Sequence, residues 1–388
     1  MSRIHRLVSL AVTLSVAGMA CNNDGIGTPG AADMDSVVQQ PPDLAMPGPF
    51  MTAPHTPYPQ LSPHSGTVLP NINLVTITYS DYPYTSEVYA FGDKVFGSAW
   101  FKAAGSEYGV TSGTHAAKVV LPETAPSSMT GQGIPARINQ AIMDGTAPPA
   151  GPGSMYLIYF PMTTSISGGG PGVACQDYLG YHYFARSPSG VRYAYGVVID
   201  CSGAAGDTTS TASHELLEAA TDPFTDAWSL DVGQFDHWVN FNQYEDGDMC
   251  EYLPDTTEDG VELQRMYSNA EAAAGREPCV PAPPGWLLFN VSPAPDIVPT
   301  VAAGHTTQIT LTGWSAQPMK SWTLSVQPWG QSDFDPTARL SANSINNGLT
   351  VKVTLKVPPG TQSGSVGTAV VYSGPGGGRF WPVSVVAQ

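Results

Sequence analysis

The fold is decided by the stretch Tyr193–Pro223, which reads YAYGVVIDCSGAAGDTTSTASHELLEAATDP. Its first part, Tyr193–Ile199, is a continuous run of apolar and aromatic residues, which is typical of a buried strand. After a loop of small and polar residues, apolar positions recur at helical spacing from about Thr211 to Thr221, and Pro223 ends the helix. A buried strand that leads into a helix predicts an α/β fold.

The same alternation of strand and helix patterns extends over residues 66–282. The predicted elements are strands at Asn71–Tyr79, Ala116–Leu121 and Met155–Phe160, and helices at Glu87–Ala104 and Ile134–Met143. Residues 225–282 are rich in turn formers and predict loops. We therefore expect an α/β domain with a mixed sheet and packed helices over residues 66–282.

A different pattern begins after the proline-rich linker Pro281–Gly285. Residues 286–388 contain six or seven short β-rich runs separated by turn residues, and they contain no cysteine. This spacing predicts an all-β, immunoglobulin-like sandwich over residues 286–388.

The N-terminus has the pattern of an export signal. Arg3 and Arg6 precede the apolar run Leu7–Val16, which is too short to span a bilayer, and small residues follow up to Cys21. We predict a signal peptide at residues 1–21, processed either by ordinary cleavage or as a bacterial lipoprotein signal with a lipid anchor on Cys21. Residues 22–65, rich in Pro and Gly, predict a flexible linker. The expected location is secreted or on the outer surface.

Charge is distributed unevenly along the chain. The 388 residues carry 32 carboxylates against 15 Lys and Arg, a formal charge of −17, which excludes the basic surface that a nucleic-acid binder needs. Between Arg192 and Arg265 there is no Lys or Arg, and this stretch holds 16 carboxylates, whereas residues 286–388 have a net charge of +2. An acidic stretch is often only a solvated surface. Its alternative is a bound cation that relieves the repulsion among the carboxylates.

Four cysteines follow the signal, namely Cys175, Cys201, Cys250 and Cys279. In an exported chain, an even number of cysteines predicts disulfides, here two. Four cysteines allow three pairings, and the sequence does not choose among them.

The motif with the clearest chemistry is Ser213–Pro223, SHELLEAATDP. On a helix, His214 and Glu218 lie one turn apart on one face, so an imidazole and a carboxylate can meet at one ion. This is the spacing of the HExxH zinc peptidases with Glu in place of the second His. Glu215 is then the candidate general base. The alternative is an ordinary helix whose His and Glu side chains bond to neighbours and bind nothing.

A catalytic zinc ion usually has three protein ligands, and the third is left open by the sequence. Glu245 and Asp248 are the leading candidates, because they lie in the segment Tyr244–Cys250, YEDGDMC, which we call the acidic turn. The weaker candidates are Asp222, His182 and His237. Calcium remains an alternative ion, since its ligands are oxygens.

These segments resemble a family of secreted bacterial proteins with an HExxEAxTDP segment and a GDxC turn. That family is distantly similar to the plant phosphate-induced, EXORDIUM-type cell-wall proteins. The matching segments here are Tyr108–Val110, Cys175, Gly180–His182, Val197–Cys201, His214–Pro223, Trp228 and Gly247–Cys250. The resemblance covers about residues 66–282 and implies a secreted domain with a zincin-like helix that acts as a metallopeptidase.

Two functions follow as hypotheses. The first is a zinc-dependent hydrolase, a metallopeptidase acting on a protein or peptide substrate. The second is a non-catalytic extracellular binding or cell-surface protein with a metal-stabilised scaffold, whose C-terminal domain binds polysaccharide through aromatic residues such as Trp314, Trp329 and Trp381. In both hypotheses the chain binds no nucleic acid, and it reaches a membrane only through a lipid on Cys21.

Overall fold

The computed structural model describes residues 49–169, 172–234, 236–241, 244–374 and 379–388. The predicted signal peptide, with Cys21, and residues 22–48 of the predicted linker lie outside these ranges. Within them, no helix combines the length and the apolar character that crossing a membrane requires.

A central five-stranded sheet organises the α/β part. The strands of this part are β1 (Ser62–Pro63), β2 (Asn71–Tyr79), β3 (Ser112–Leu121), β4 (Ser128–Thr130), β5 (Ser154–Phe160), β6 (Ser165–Ser167), β7 (Gly180–Arg186), β8 (Arg192–Ile199), β9 (Trp228–Ser229), β10 (Thr256–Glu258), β11 (Val261–Leu263), β12 (Met266–Tyr267) and β13 (Cys279–Val280). The sheet has the order β3-β2-β5-β8-β7, in which β7 is antiparallel to β8 and the other pairs are parallel. The predicted mixed sheet is confirmed.

Helices cover both faces of this sheet. The helices of this part are α1 (Thr85–Lys94), α2 (Ala99–Gly105), α3 (Gly133–Met143), α4 (Ala205–Thr221), α5 (Asp236–Val239) and α6 (Asn269–Ala273), and the first four lie against the sheet. One apolar cluster joins α1, α2 and α4 to the sheet, with Leu157 and Leu216 among its members. A second cluster joins α3 to the opposite face through Ile134 and Ile138. Burial on both faces explains why β5 and β8 read as continuous apolar runs.

The single helix predicted for Glu87–Ala104 is wrong. The chain forms α1, then a 3₁₀ turn at Val95–Gly97, and then α2. Ser98 has extended backbone angles, and its hydroxyl accepts a hydrogen bond from the Phe101 amide at 2.9 Å. Serine caps a helix better than it continues one, so Ser98 begins a new helix in a segment whose apolar spacing alone suggested one.

The C-terminal part consists of two sheets around a shared apolar core. Its strands are β14 (Phe289–Pro293), β15 (Thr300–Val301), β16 (Thr306–Ser315), β17 (Trp322–Pro328), β18 (Thr337–Leu340), β19 (Ser344–Ile345), β20 (Thr350–Lys356), β21 (Val366–Ser373) and β22 (Phe380–Ala387). One sheet has the order β14-β16-β20-β18 and the other β15-β22-β21-β17-β19. Val353 of the first and Val383 of the second belong to one buried cluster, as expected for a sandwich.

Residues 49–65 are packed against the folded chain, so the flexible linker predicted there is wrong for this part. His55 stacks on Trp314 with ring centroids 3.9 Å apart, and Tyr58 stacks on Trp381 at 5.5 Å. Leu61 is buried, and β1 pairs with β9. A segment rich in Pro still becomes ordered when its few aromatic and apolar side chains pack against a buried surface.

The α/β part and the sandwich also share core residues. Trp238 of α5 packs edge-on against Trp381 of β22 with centroids 5.4 Å apart. The buried imidazole of His237 accepts a hydrogen bond from the Ser384 amide at 2.8 Å. Residues from Pro49 to Gln388 accordingly form one compact unit.

Two disulfides are present. Cys175 bonds to Cys201, and Cys250 bonds to Cys279. The prediction of two disulfides is confirmed, and the pairing that the sequence left open is decided. Disulfides persist in oxidising compartments, so they indicate an extracytoplasmic location.

Candidate metal centre

Helix α4 carries the predicted motif on its inner face. Leu216 and Ala220 are buried in the apolar cluster beneath the sheet, which fixes the rotation of the helix. The carboxylates of Glu215 and Glu218 are also buried, with side-chain exposures of 4% and 3%. Carboxylates this deep require hydrogen bonds or a cation to offset the cost of desolvation.

Glu218 is the central residue of the site. Its Oε2 lies 3.0 Å from Nε2 of His214, one helical turn away, as the motif predicts. Its Oε1 accepts a hydrogen bond from the backbone N–H of Asp248 at 3.0 Å. The carboxylate is therefore held between its own helix and the acidic turn.

His182 adds a second imidazole from a different element. It lies on β7, the edge strand, opposite Gly196 of β8. Its Nδ1 is 3.4 Å from Glu218 Oε2, and its Nε2 is 3.7 Å from Glu245 Oε1. From the sequence, His182 was a weaker ligand candidate, because a lone histidine is usually structural. The pairing of β7 with β8 brings it over α4.

The acidic turn brings Glu245 to His182 and Asp248 to His214, where Asp248 Oδ1 is 3.8 Å from Nε2. The disulfide between Cys250 and Cys279 anchors the end of this turn. Its third carboxylate, Asp246, faces away and accepts a hydrogen bond from the Thr221 hydroxyl at 3.1 Å.

Two sets of side chains have donor atoms close enough to hold an ion. One set is His214, Glu215 and Glu218, and the other is His182, Glu218 and Glu245, with all donor atoms of a set within 4.8 Å of one another. Among the described residues, neither set includes Asp248. Buried polar atoms without a partner occur here as well, namely Nε2 of His182 and Oε2 of Glu215.

Gln264 orients the histidine of α4, a role that the sequence did not suggest. Nδ1 of His214 donates to the Gln264 side-chain oxygen at 3.0 Å, and the Gln264 amide donates to the Gly247 carbonyl at 2.8 Å. The ring therefore turns Nε2 toward Glu218. Metal-binding histidines are commonly oriented by such a bond from the second nitrogen.

Glycines line the site where it is tightest. A Cβ on Gly180 would lie 2.5 Å from Glu215 Oε1, and a Cβ on Gly247 would lie 2.7 Å from Glu218 Oε1. Only glycine lets the backbone of β7 and of the acidic turn approach the carboxylates this closely.

Burial and mutual charge shift every ionisable group in the site. Burial disfavours the imidazolium of His182, but the carboxylates around it, Glu245 foremost, raise its pKa to about 10. The pKa of His214 is likewise raised well above 6.5, because its neighbouring carboxylates outweigh burial. Burial raises the pKa of Glu215 to about 8, whereas the two histidines outweigh burial at Glu218 and lower its pKa. Metal ligation by either imidazole would require the loss of its proton.

The structure places the two remaining ligand candidates, Asp222 and His237, outside both sets of donors. Asp222 accepts hydrogen bonds from the amides of Asp226 and Ala227, at 2.7 and 2.8 Å, and shapes the turn after α4. His237 is buried against the sandwich. Neither residue belongs to a set of donors that could hold an ion within the part of the chain that the structure describes.

An open cleft of about 650 Å³ leads to the site. Its walls include Tyr181 and Leu179 from around β7, Tyr252 after the acidic turn, and Trp329 from the sandwich. Trp329 is half-buried here, whereas Trp314 and Trp381 are buried in the core. Trp314 and Trp381 are therefore not the exposed aromatic residues that stacking on a sugar would need.

Comparison with known proteins names no family. No protein-family model matches the chain, and no curated protein matches it significantly. Among solved structures, the archaellum periplasmic stator protein FlaG from Sulfolobus acidocaldarius matches with 19% identity over 25% of this chain and 97% of its own, at a TM-score of 0.17. A conjugate transposon protein from Bacteroides vulgatus matches with 12% identity over 25% of this chain and 80% of its own, also at 0.17. Scores this low carry no argument about fold or function.

Proposed function

We propose that this chain is a secreted or surface-anchored hydrolase that depends on a divalent metal ion and cleaves peptides with a zincin-like α/β domain. The observation that carries the proposal is the convergence of side chains from three elements at an open cleft, namely His214 and Glu218 of α4, His182 of β7 and Asp248 of the acidic turn. The immunoglobulin-like character of the sandwich, and export by a signal peptide or lipid anchor, belong to the same proposal.

The donor atoms fit a transition-metal ion. Nε2 of His182 and Oε2 of Glu215 are buried and have no hydrogen-bond partner. A bound ion would supply the partner that such buried polar atoms need. Imidazole and carboxylate donors together suit zinc and its neighbours, whereas calcium takes six to eight oxygens. We therefore favour zinc over the calcium alternative.

When bound, the ion would polarise the scissile carbonyl and lower the pKa of a water molecule beside it. His214 and Glu218 would hold it, with Asp248 completing the ligand set from the acidic turn, whereas Glu245 faces His182. Asp248 reaches His214 within 3.8 Å, and Glu245 reaches His182 within 3.7 Å.

Glu215 has the place and environment of a general base. Its Oε2 is buried and unpartnered, and it lies in the wall of the cleft beside the ligands. It would accept a proton from the attacking water as the oxygen bonds to the peptide carbon, and then pass that proton to the amine as the C–N bond breaks. Its raised pKa without metal falls when a cation lies beside it, because positive charge favours the carboxylate.

The test compares Glu215→Gln with wild type on unstructured protein substrates, with metal content measured on the same samples. We expect turnover to fall about 10²- to 10⁴-fold while the metal content stays unchanged. Glu271→Gln, an exposed carboxylate paired with Arg276, is the matched control and keeps full activity. Unchanged turnover in Glu215→Gln contradicts the mechanism. Metal binding without turnover in wild type would favour the non-catalytic extracellular binding protein.

A further inference from the structure

Glu218 is the one residue that the two sets of donors share. His214 and Glu215 belong to one set with it, and His182 and Glu245 belong to the other. Among the described residues, no set with donor atoms within 4.8 Å of one another contains both imidazoles. Two ligands of one ion lie at most about 4.2 Å apart, twice a metal–nitrogen bond, so one ion cannot take both histidines in this arrangement.

We propose that the centre binds two divalent ions bridged by the carboxylate of Glu218. The first ion takes His214, and the second takes His182 and Glu245. The proposal rests on the proposed function for the first ion and adds the second. Glu218 Oε2 lies 3.0 Å from Nε2 of His214 and 3.4 Å from Nδ1 of His182, so this one oxygen faces both imidazoles.

The contact between His182 and Glu245 supports the second ion independently. Nε2 of His182 is buried, has no hydrogen-bond partner and lies 3.7 Å from Glu245 Oε1. That distance is too long for a hydrogen bond but within the span of two ligands of one ion. The side chain of His182 is only 5% exposed, so water does not readily replace the missing partner.

Charge also favours two ions over one. Four carboxylates converge here, and their side-chain exposures are 4% for Glu215, 3% for Glu218, 13% for Glu245 and 19% for Asp248. When the four carboxylates are ionised and the histidines neutral, the forms in which such side chains bind metal, one divalent ion compensates two of the negative charges and two ions compensate all four.

The surrounding cleft indicates what a paired site would act on. Pairs of ions about 3.5–4 Å apart occur in aminopeptidases and in phosphatases. The described residues that line this cleft include Asp177, Asp207 and Asp255, and no Lys or Arg is among them. A phosphate ester would be repelled by this lining, whereas a peptide with a free amino group is attracted.

The test is the number of ions bound per full-length chain. Metal-free protein is titrated with Zn²⁺ in a calorimeter, and the bound metal is counted by mass spectrometry after gel filtration. We expect two ions for wild type, one for His182→Ala, one for His214→Ala and two for His305→Ala, an exposed histidine of the sandwich. Mn²⁺-loaded wild type should also give the electron paramagnetic resonance signal of a coupled pair.

One ion in wild type, or an unchanged count in His182→Ala with native circular dichroism, overturns the second site. The wild-type count needs no variant, so a folding defect cannot hide the answer. If wild type binds one ion and still cleaves peptides, the proposed function stands and the bridged pair fails. If it binds two ions without cleaving any peptide, the pair stands and the hydrolase fails.

Discussion

Gly247→Ala should weaken metal binding without unfolding the protein. Gly247 has φ −76° and ψ −48°, which are helical angles that alanine adopts freely. The substitution therefore adds no backbone strain and removes the entropy of a glycine in the unfolded chain. Its effect comes from the added methyl group alone.

The magnitude follows from the contacts of that methyl group. A Cβ at Gly247 would lie 2.7 Å from Glu218 Oε1 and 2.9 Å from His214 Nδ1, whereas ordinary contact begins at 3.4 Å. The carboxylate of Glu218 must therefore move by about 0.7 Å, more than the ~0.5 Å tolerance of a preorganised site. Displacing a metal ligand, or a side chain that orients one, typically lowers the affinity for the metal ion about 10- to 100-fold, or by about 1.4–2.7 kcal/mol.

The assay is competition for Zn²⁺ with a coloured chelator at constant pH. Gly151→Ala is the matched control, since a Cβ there has no neighbour within 4 Å. We expect the dissociation constant to rise 10- to 100-fold for Gly247→Ala and to stay unchanged for Gly151→Ala. Thermal unfolding of the metal-free proteins checks that the fold persists. A Gly247→Ala constant within twofold of wild type would refute the assignment of Glu218 as a ligand.

Two further predictions concern stability. Burial lowers the pKa of His237 from 6.5 to about 4, so the stability that depends on its neutral form is lost as pH falls from about 6.5 toward 4. His237→Asn keeps an acceptor for the Ser384 amide, so between pH 7 and pH 4 its free energy of unfolding in urea should fall by about 3 kcal/mol less than that of wild type. Asp296, whose pKa is raised to about 6, titrates in both proteins and does not affect the difference. Equal losses of unfolding free energy in the two proteins would contradict the assignment of this pH dependence to His237. Replacing Cys250 and Cys279 by serine opens a loop with a sequence separation of 29 and should cost about 3–4 kcal/mol of unfolding free energy, together with weaker Zn²⁺ binding. Full Zn²⁺ affinity in that double variant would show that the acidic turn does not need its anchor.

Local sequence patterns predicted several elements of the fold. The apolar run at β8, the helical spacing at α4 and the stop at Pro223 each depend on neighbouring residues. The structure confirms β8 and the end of α4 at Thr221, but α4 begins at Ala205, about six residues before the predicted start, because the small and polar residues predicted as a loop form its first turns. The break at Ser98 was not predicted, because the apolar spacing of this segment fits one continuous helix. Spacing alone does not show that the Ser98 side chain caps a second helix instead. Residues 49–65 were misjudged because their order comes from distant aromatic partners such as Trp314 and Trp381.

The site shows the same division. The spacing of His214 and Glu218 is a property of a single helix, so the sequence predicted their contact, and the 3.0 Å between them agrees. His182 and Gln264 reach the helix from 32 residues before and 50 residues after His214, and no local spacing encodes that approach.

By itself, the sequence determined the strand-to-helix unit, the imidazole–carboxylate pair on α4, the concentration of carboxylates around it and the presence of two disulfides. Only the tertiary structure decided the disulfide pairing, the arrival of His182 over Glu218 and the division of the donors into two sets. The physical reason is that periodicity and local spacing fix which side chains share one face of one element. Which elements meet is set by strand pairing and burial across the whole chain.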